Sequence, residues 1–361
     1  MTTPTQRPIG RIDLDAQLGE QSLTHATLPR WVPWGLLVAA VAVGVLLQIL
    51  GVAIGLAAVA AAAGYAVVVY GVSVTVEGRR KAKDRLVTTV VTAAFILALL
   101  PLISVVYTVV DNGVARLDAE FFSYSMRGIV GEGGGIYHAL MGTLIITGLA
   151  TLISVPIGML CAIYLVEYGR GRLAKAITFF VDVMTGIPSI VAGLFAYALF
   201  ALLFGPGVRM GIMGAVALSV LMIPIVVRST EEMLKLVPNE LREAAFALAV
   251  PKWRMIVKVV LPTALAGIAT GVTLAIARVI GETAPLLVTV GITTGVNMNP
   301  FDGRIATLPV FAYRQFMSPG IPPEPAIERA WTAALVLIII VMVLNLAARL
   351  ISRFFAPKTR A

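Results

Sequence analysis

Residues 231–262 read EEMLKLVPNELREAAFALAVPKWRMIVKVVLP and separate two strongly apolar segments. Pro238 suits a helix start, because its missing N–H would be unpaired there anyway, and Leu241, Ala244, Ala245 and Leu248 then recur at helical spacing. The spacing predicts a short amphipathic helix. Pro251 biases Val250 away from helical geometry, so this helix should stop there and a second begin, carrying Lys252, Trp253, Arg254 and Lys258 toward Pro262. A polar helix-turn-helix elbow between apolar runs is a place for a soluble partner to grip.

The flanks set the class. Hydrophobic residues make up 59% of the 361, charged residues only 13%, and the mean hydropathy is +0.94, against about 25% charged in soluble domains. The chain reads as an all-α, polytopic membrane protein. Its net charge of +9 does not point to nucleic acid, since the cations fall between apolar runs rather than on one polar face. Cys161 lies alone in an apolar run, so no intramolecular disulfide is expected. His25 and His138 are far apart, and no metal site is expected. Residues 1–30 are polar without an apolar core, which fits a cytoplasmic tail and not a cleavable signal.

From Trp31 to Val76 there are 46 residues without a charge, about 69 Å of helix and too long for one span. Two spans turning near Gly51–Gly55 are predicted, then a basic loop over 77–85 (EGRRKAKDR) and a third span over 86–110. A polar loop containing GEGGG at 131–135 follows; no Gly-Lys-Ser/Thr accompanies it, so a flexible loop is expected rather than a phosphate cradle. Further spans are predicted over 139–166, 177–204, 211–227, 263–290 and 329–350, about eight in all. Within the fifth, Asp182 precedes Gly186, Pro188 and Ser189: either a kink near the interface, or a break aiming N–H groups at an anion.

With the N terminus inside, 21 of the 28 Lys and Arg fall on the inner side; six arginines, at 116, 127, 209, 304, 314 and 329, lie outside beside seven acids. This asymmetry favours cytoplasmic termini and a cytosolic elbow.

One arginine remains in the membrane. Arg278 lies about 22 Å along the predicted seventh span, in AIARVIGETAPLLVTVG, and Glu282 is four residues on, on the same helical face. A charge at mid-membrane costs about 2.5–3.5 kcal/mol, so it pairs, faces a cavity or works. Gly281 and Pro285 weaken the helix at this point, and an arginine fork suits an oxyanion. Spacing alone leaves two readings: an anion-attracting or gating group oriented by Glu282, or a structural pair buried between helices.

The elbow resembles the cytoplasmic signature of ABC-type importer permeases, E-A-A, three residues, G, nine residues, then I-x-L-P. Glu243, Ala244 and Ala245 match, as do Val259, Leu261 and Pro262 by distance. Ala249 departs, standing where the family has Gly, and the turn is expected to rely on Pro251 instead. Further segments resemble the PstA-type permeases of phosphate-specific importers: EYGR at 167–170, PSIVAGLF at 188–195, ARVIGETAPLL at 277–287, ATLPV from 306 and FMSP to 319.

The resemblance covers about residues 86–355. It implies a six-helix type I permease core, to which the 31–76 hairpin is an addition; the hairpin's alanine-rich, uncharged composition fits a tolerated lipid-facing extension, a peripheral anchor, or a surface packing on another subunit through Gly51, Gly55 and Gly64. It implies no enzyme of its own and no cofactor in this chain, ATP and Mg being held by two copies of a partner ATPase docked on Glu243, Ala244, Ala245, Ala249 and Pro251. It also implies a homologous second permease, an extracytoplasmic phosphate-binding protein, the multi-pass setting of a prokaryotic plasma membrane, and Arg278 with Glu282 in the path of inorganic phosphate. Permeation of another oxyanion such as molybdate or sulfate, or proton-coupled secondary anion transport, are the competing functions.

Overall fold

A computed structural model describes residues 27–29 and 31–355. The expected tail over 1–30 thus lies almost wholly outside the described residues. Among the described residues every regular element is helical, and the chain divides after Val105 into two compact units.

In the first unit α1 (Trp31–Ile49) and α2 (Ile54–Glu77) form the predicted hairpin. Gly51 ends α1 at φ 87°. Its N–H and that of Val52 bond the carbonyls of Gln48 and Leu47, the Schellman pattern that glycine makes without strain. Gly44 lets the helices close, since a Cβ there would stand 3.2 Å from that of Ala61, whereas Gly51, Gly55 and Gly64 face open space. The predicted basic loop over 77–85 is instead a break at Gly78, and α3 (Arg79–Gly113) begins at once. Glu77 is buried there, accepting from Ser73 Oγ at 2.8 Å, the Leu28 amide at 2.8 Å and Arg85 Nε at 2.5 Å. Those bonds let charged residues continue a helix where a loop is expected.

The second unit contains the end of α3, then α4 (Ala119–Ser123), α5 (Tyr137–Ile163), α6 (Arg172–Thr185), α7 (Ser189–Phe204) and α8 (Gly211–Lys235). After these come α9 (Asn239–Ala247), α10 (Lys252–Met255), α11 (Leu261–Val279), α12 (Ala284–Thr289), α13 (Leu308–Met317) and α14 (Glu324–Phe355). α5 and α8 lie close because Gly158 has no side chain: a Cβ there would stand 2.7 Å from a Val226 methyl. One core cluster joins them to α11 and α12 through Ile146, Leu218, Met222, Val279 and Leu286. A second gathers Val227, Leu234, Ala245, Met255, Ile256 and Val260 where α8 meets the elbow.

Three predicted spans take a different course. The fifth, over 177–204, is the pair α6 and α7, bent by 109°. Pro188 supplies no N–H and excludes Ile187 from helical geometry. The amides of Gly186 and Ile187 instead close back on Val183 and Met184, and the chain turns. The seventh, over 263–290, starts earlier and ends sooner: α10 runs through a π-turn (Ile256–Val260) straight into α11, which stops at Val279. The second elbow helix expected after Pro251 does begin there and carries Lys252, Trp253, Arg254 and Lys258, but it runs on through Pro262 into the span without a break between them. The π-turn sits just before Pro262, whose missing donor interrupts the α-helical ladder. The sixth runs on to Lys235, where Glu231 accepts from Arg228 at 2.8 Å and Lys235 at 2.7 Å.

The GEGGG run does not hang free. Arg329 donates to the carbonyls of Gly131 at 2.7 Å and Gly133 at 3.0 Å, and Arg116 to that of Gly134 at 3.2 Å.

Candidate functional site

The elbow comes first. Helix α9 follows Pro238, which is itself extended and so stands just before the helix. Ala245 is buried among Val237, Met255 and Ile256, its small side chain letting α9 press onto the core, while Glu243 and Ala244 lie on the exposed face. Exposed Leu241, Phe246 and Leu248 add apolar surface, and Glu243 makes no ion pair among the described residues.

The turn after α9 differs from the sequence expectation. Ala249 has φ 54°, and it is the non-glycine residue with positive φ among those described. Its N–H bonds the Phe246 carbonyl at 2.9 Å, and that of Val250 bonds Ala245 at 3.1 Å. This is again the Schellman arrangement, here made by an alanine at a cost of about 1–2 kcal/mol. Pro251 does not replace it but starts α10 in extended geometry.

Two cations fasten the elbow to the end of α5, which tightens into a π-turn (Tyr164–Tyr168). Arg242 donates to Glu167 Oε1 from Nη2 at 2.9 Å and Nε at 3.1 Å, and to the carbonyls of Val237 and Leu234 at 2.6 and 2.9 Å. Its side chain is 14% exposed and that of Glu167 5%. Lys252 donates to the Glu167 carbonyl and sits 4.7 Å over the Tyr168 ring. Nearby, Asp182 of α6 pairs with Arg228 of α8, so the bent helix is tied to the same end.

The second constellation lies at the end of α11. Arg278 Nη1 donates to Glu282 Oε1 at 2.8 Å. The arginine side chain is 68% exposed and the glutamate 13%, so the pair is not enclosed within the chain: Glu282 is rooted and holds a guanidinium presented outward. Gly281 to Thr283 break the helix here before α12 begins. α12 is backed by α7 at Gly193, where a Cβ would stand 2.6 Å from Pro285 Cα. At its far end Arg209 Nη1 donates to the carbonyls of Leu287 and Val288 at 3.0 and 2.9 Å, neutralising the negative end of the short helix.

Residues 154–361 match the family described as "Binding-protein-dependent transport system inner membrane component". The chain belongs to that family. Within it, the PstA branch supplies strong relatives. The phosphate transport system permease protein PstA 1 of Mycobacterium tuberculosis (strain CDC 1551 / Oshkosh) is 46% identical over 285 residues, 78% of this chain and 92% of the relative. The PstA of Pasteurella multocida (strain Pm70) is 40% identical over 284 residues, 78% of this chain and 97% of its own. In fold, the permease is similar to a chain of a bacterial alginate ABC transporter, with a TM-score of 0.56 at 14% identity, covering 76% and 96% of the two chains.

Sequence reasoning missed the anchor of the elbow. Glu167 and Arg242 are 75 positions apart, and no spacing rule pairs them. The available signal was a lone acid in a basic, short loop.

Proposed function

We propose that this permease is the PstA-type half of a phosphate-importing ABC transporter, and that Arg278, held by Glu282, meets the anion in the pathway. The observation that carries the reading is an outward-facing guanidinium at a helix break, oriented by a mostly buried carboxylate. In a membrane, such a group avoids lipid only by facing a water-filled path or a second subunit. A homologous permease packed on this face would complete the path. Arginine keeps its proton throughout and offers parallel donors to a tetrahedral oxyanion.

The 231–262 elbow supports energy coupling from outside the chain. Two copies of a partner ATPase would hold ATP and Mg, one of them receiving α9 through Glu243 and its apolar neighbours. An extracytoplasmic binding protein would deliver phosphate. Both termini would then be cytoplasmic. A secondary transporter has no use for such an elbow. An arginine does not by itself separate phosphate from sulfate or molybdate, so the substrate rests on the relatives named PstA.

The test is labelled-phosphate uptake into vesicles containing the whole complex, with sulfate and molybdate as competitors, for the unaltered chain and Arg278→Gln. Collapse of uptake with all subunits still assembled is expected. Unchanged uptake would make Arg278 a structural partner and remove it from the path.

A further inference from the structure

Beyond the Arg278–Glu282 pair, the second unit contains an open cavity of about 650 Å³ at the far end of α12. Three arginines line it, Arg209, Arg304 and Arg314, together with the hydroxyl-bearing Thr293 and Thr294 and no carboxylate. None of the three arginines forms an ion pair among the described residues. Gly291, at φ 74°, makes the gathering possible: a Cβ there would stand 2.9 Å from Cδ of Arg209 and 3.1 Å from Cδ of Arg304, so both stems cross the same bare α-carbon. Arg209 spends the two N–H groups of Nη1 on α12 carbonyls, which fixes its position and leaves three of its five donors free.

A second observation lies next door. A smaller chamber of about 90 Å³ shares Thr293, Thr294 and Arg314 with this cavity and is lined by His138. His138 is 2% exposed, and its Nδ1 has no hydrogen-bond partner. A buried polar atom left unpaired is costly, and three like charges around one concavity repel, so the fold maintains an arrangement that an anion would relieve.

We infer that this cavity is a second oxyanion site, separate from Arg278 and Glu282, which takes the tetrahedral anion at the extracytoplasmic mouth. The inference rests on the importer reading, which places these three arginines outside. The site would capture the anion on its release outside and keep its local concentration high beside the break at Gly281. α12, six residues or about 9 Å long, separates the two positions along the chain.

The experiment measures equilibrium binding of labelled inorganic phosphate to the whole complex in lipid discs, without binding protein, in an Arg278→Gln background so that the mouth is the site under observation. Subunit stoichiometry is checked for every variant. Binding that falls at least tenfold with Arg304→Gln/Arg314→Gln, while the binding protein's own affinity for the complex is unchanged, is the expected result. Undetectable anion binding in the Arg278→Gln background, or binding indifferent to the double substitution, would overturn the site. Loss of binding-protein affinity with phosphate binding intact would also overturn it and make the arginines a protein-docking surface. If sulfate or molybdate binds through these arginines and phosphate does not, the site stands and the phosphate reading fails.

Discussion

Ala249 occupies a left-handed backbone position that its Cβ opposes, and the turn carries that strain at the point where the family has glycine. Ala249→Gly should relieve it, offset in part by the greater freedom of glycine in the unfolded chain, for a net gain of up to about 1 kcal/mol. Slower amide exchange at Ala249 and Val250, whose N–H groups close the turn, is the expected reading. Faster exchange would mean that the alanine is not strained. The Arg278–Glu282 pair poses a sharper choice. If it only neutralises a charge between helices, replacing both partners by apolar residues of similar volume should be neutral or better. Arg278→Met/Glu282→Leu should therefore preserve assembly under either reading but abolish uptake only if the arginine meets substrate. Uptake within a factor of two of the unaltered chain would establish the structural role.

The elbow was legible as an element because its information is local: Pro238, the apolar recurrence to Leu248 and the Pro251 stop all act within one turn or two. Its anchoring was not, since Arg242 reaches an acid on another helix. The bend between α6 and α7 was expected as a kink or break at Gly186 and Pro188, but its size of 109° was not legible. Hydropathy averages α6 and α7 into one apolar length, although Gly186 and Pro188 were visible and Asp182 marked a polar face. The π-turns were equally invisible, being adjustments of a ladder and not of composition. From the anchoring follows a prediction about coupling. Truncating one partner of a largely buried ion pair costs about 3–5 kcal/mol because the other charge is stranded. Arg242→Ala should loosen α9, raising amide exchange across residues 239–247 at least tenfold and uncoupling ATP hydrolysis from uptake. Glu243→Ala, altering only the exposed face, should uncouple without raising exchange. If both variants exchange alike, Arg242 does not anchor the elbow.

The way the elements close on one another points to eight crossings. Among the described residues seven helices are long and apolar enough to span, or eight if the bent pair counts as one crossing. α5 continues into the π-turn that contains Glu167, where Arg242 and Lys252 of the elbow hold it, and α8 runs directly into that elbow. Both helices therefore finish on the same side. α8, 25 residues and about 37 Å, exceeds the hydrocarbon thickness of about 30 Å. The chain must consequently have crossed back between them, and the bent pair α6 and α7 is the segment available to do so. Eight crossings would return the end of α14 to the side from which α1 starts. With most cations on the elbow side, that side should be the cytosol. In a Cys161→Ser background, single cysteines at Leu248 on the elbow and Met298 in the loop before α13, both exposed, distinguish the sides. A membrane-impermeant maleimide applied to right-side-out vesicles should label Met298→Cys at once and Leu248→Cys only after permeabilisation. Labelling of both from outside would mean that α6 and α7 re-enter without crossing or that the elbow faces outward, and in either case the ATPase could not reach it.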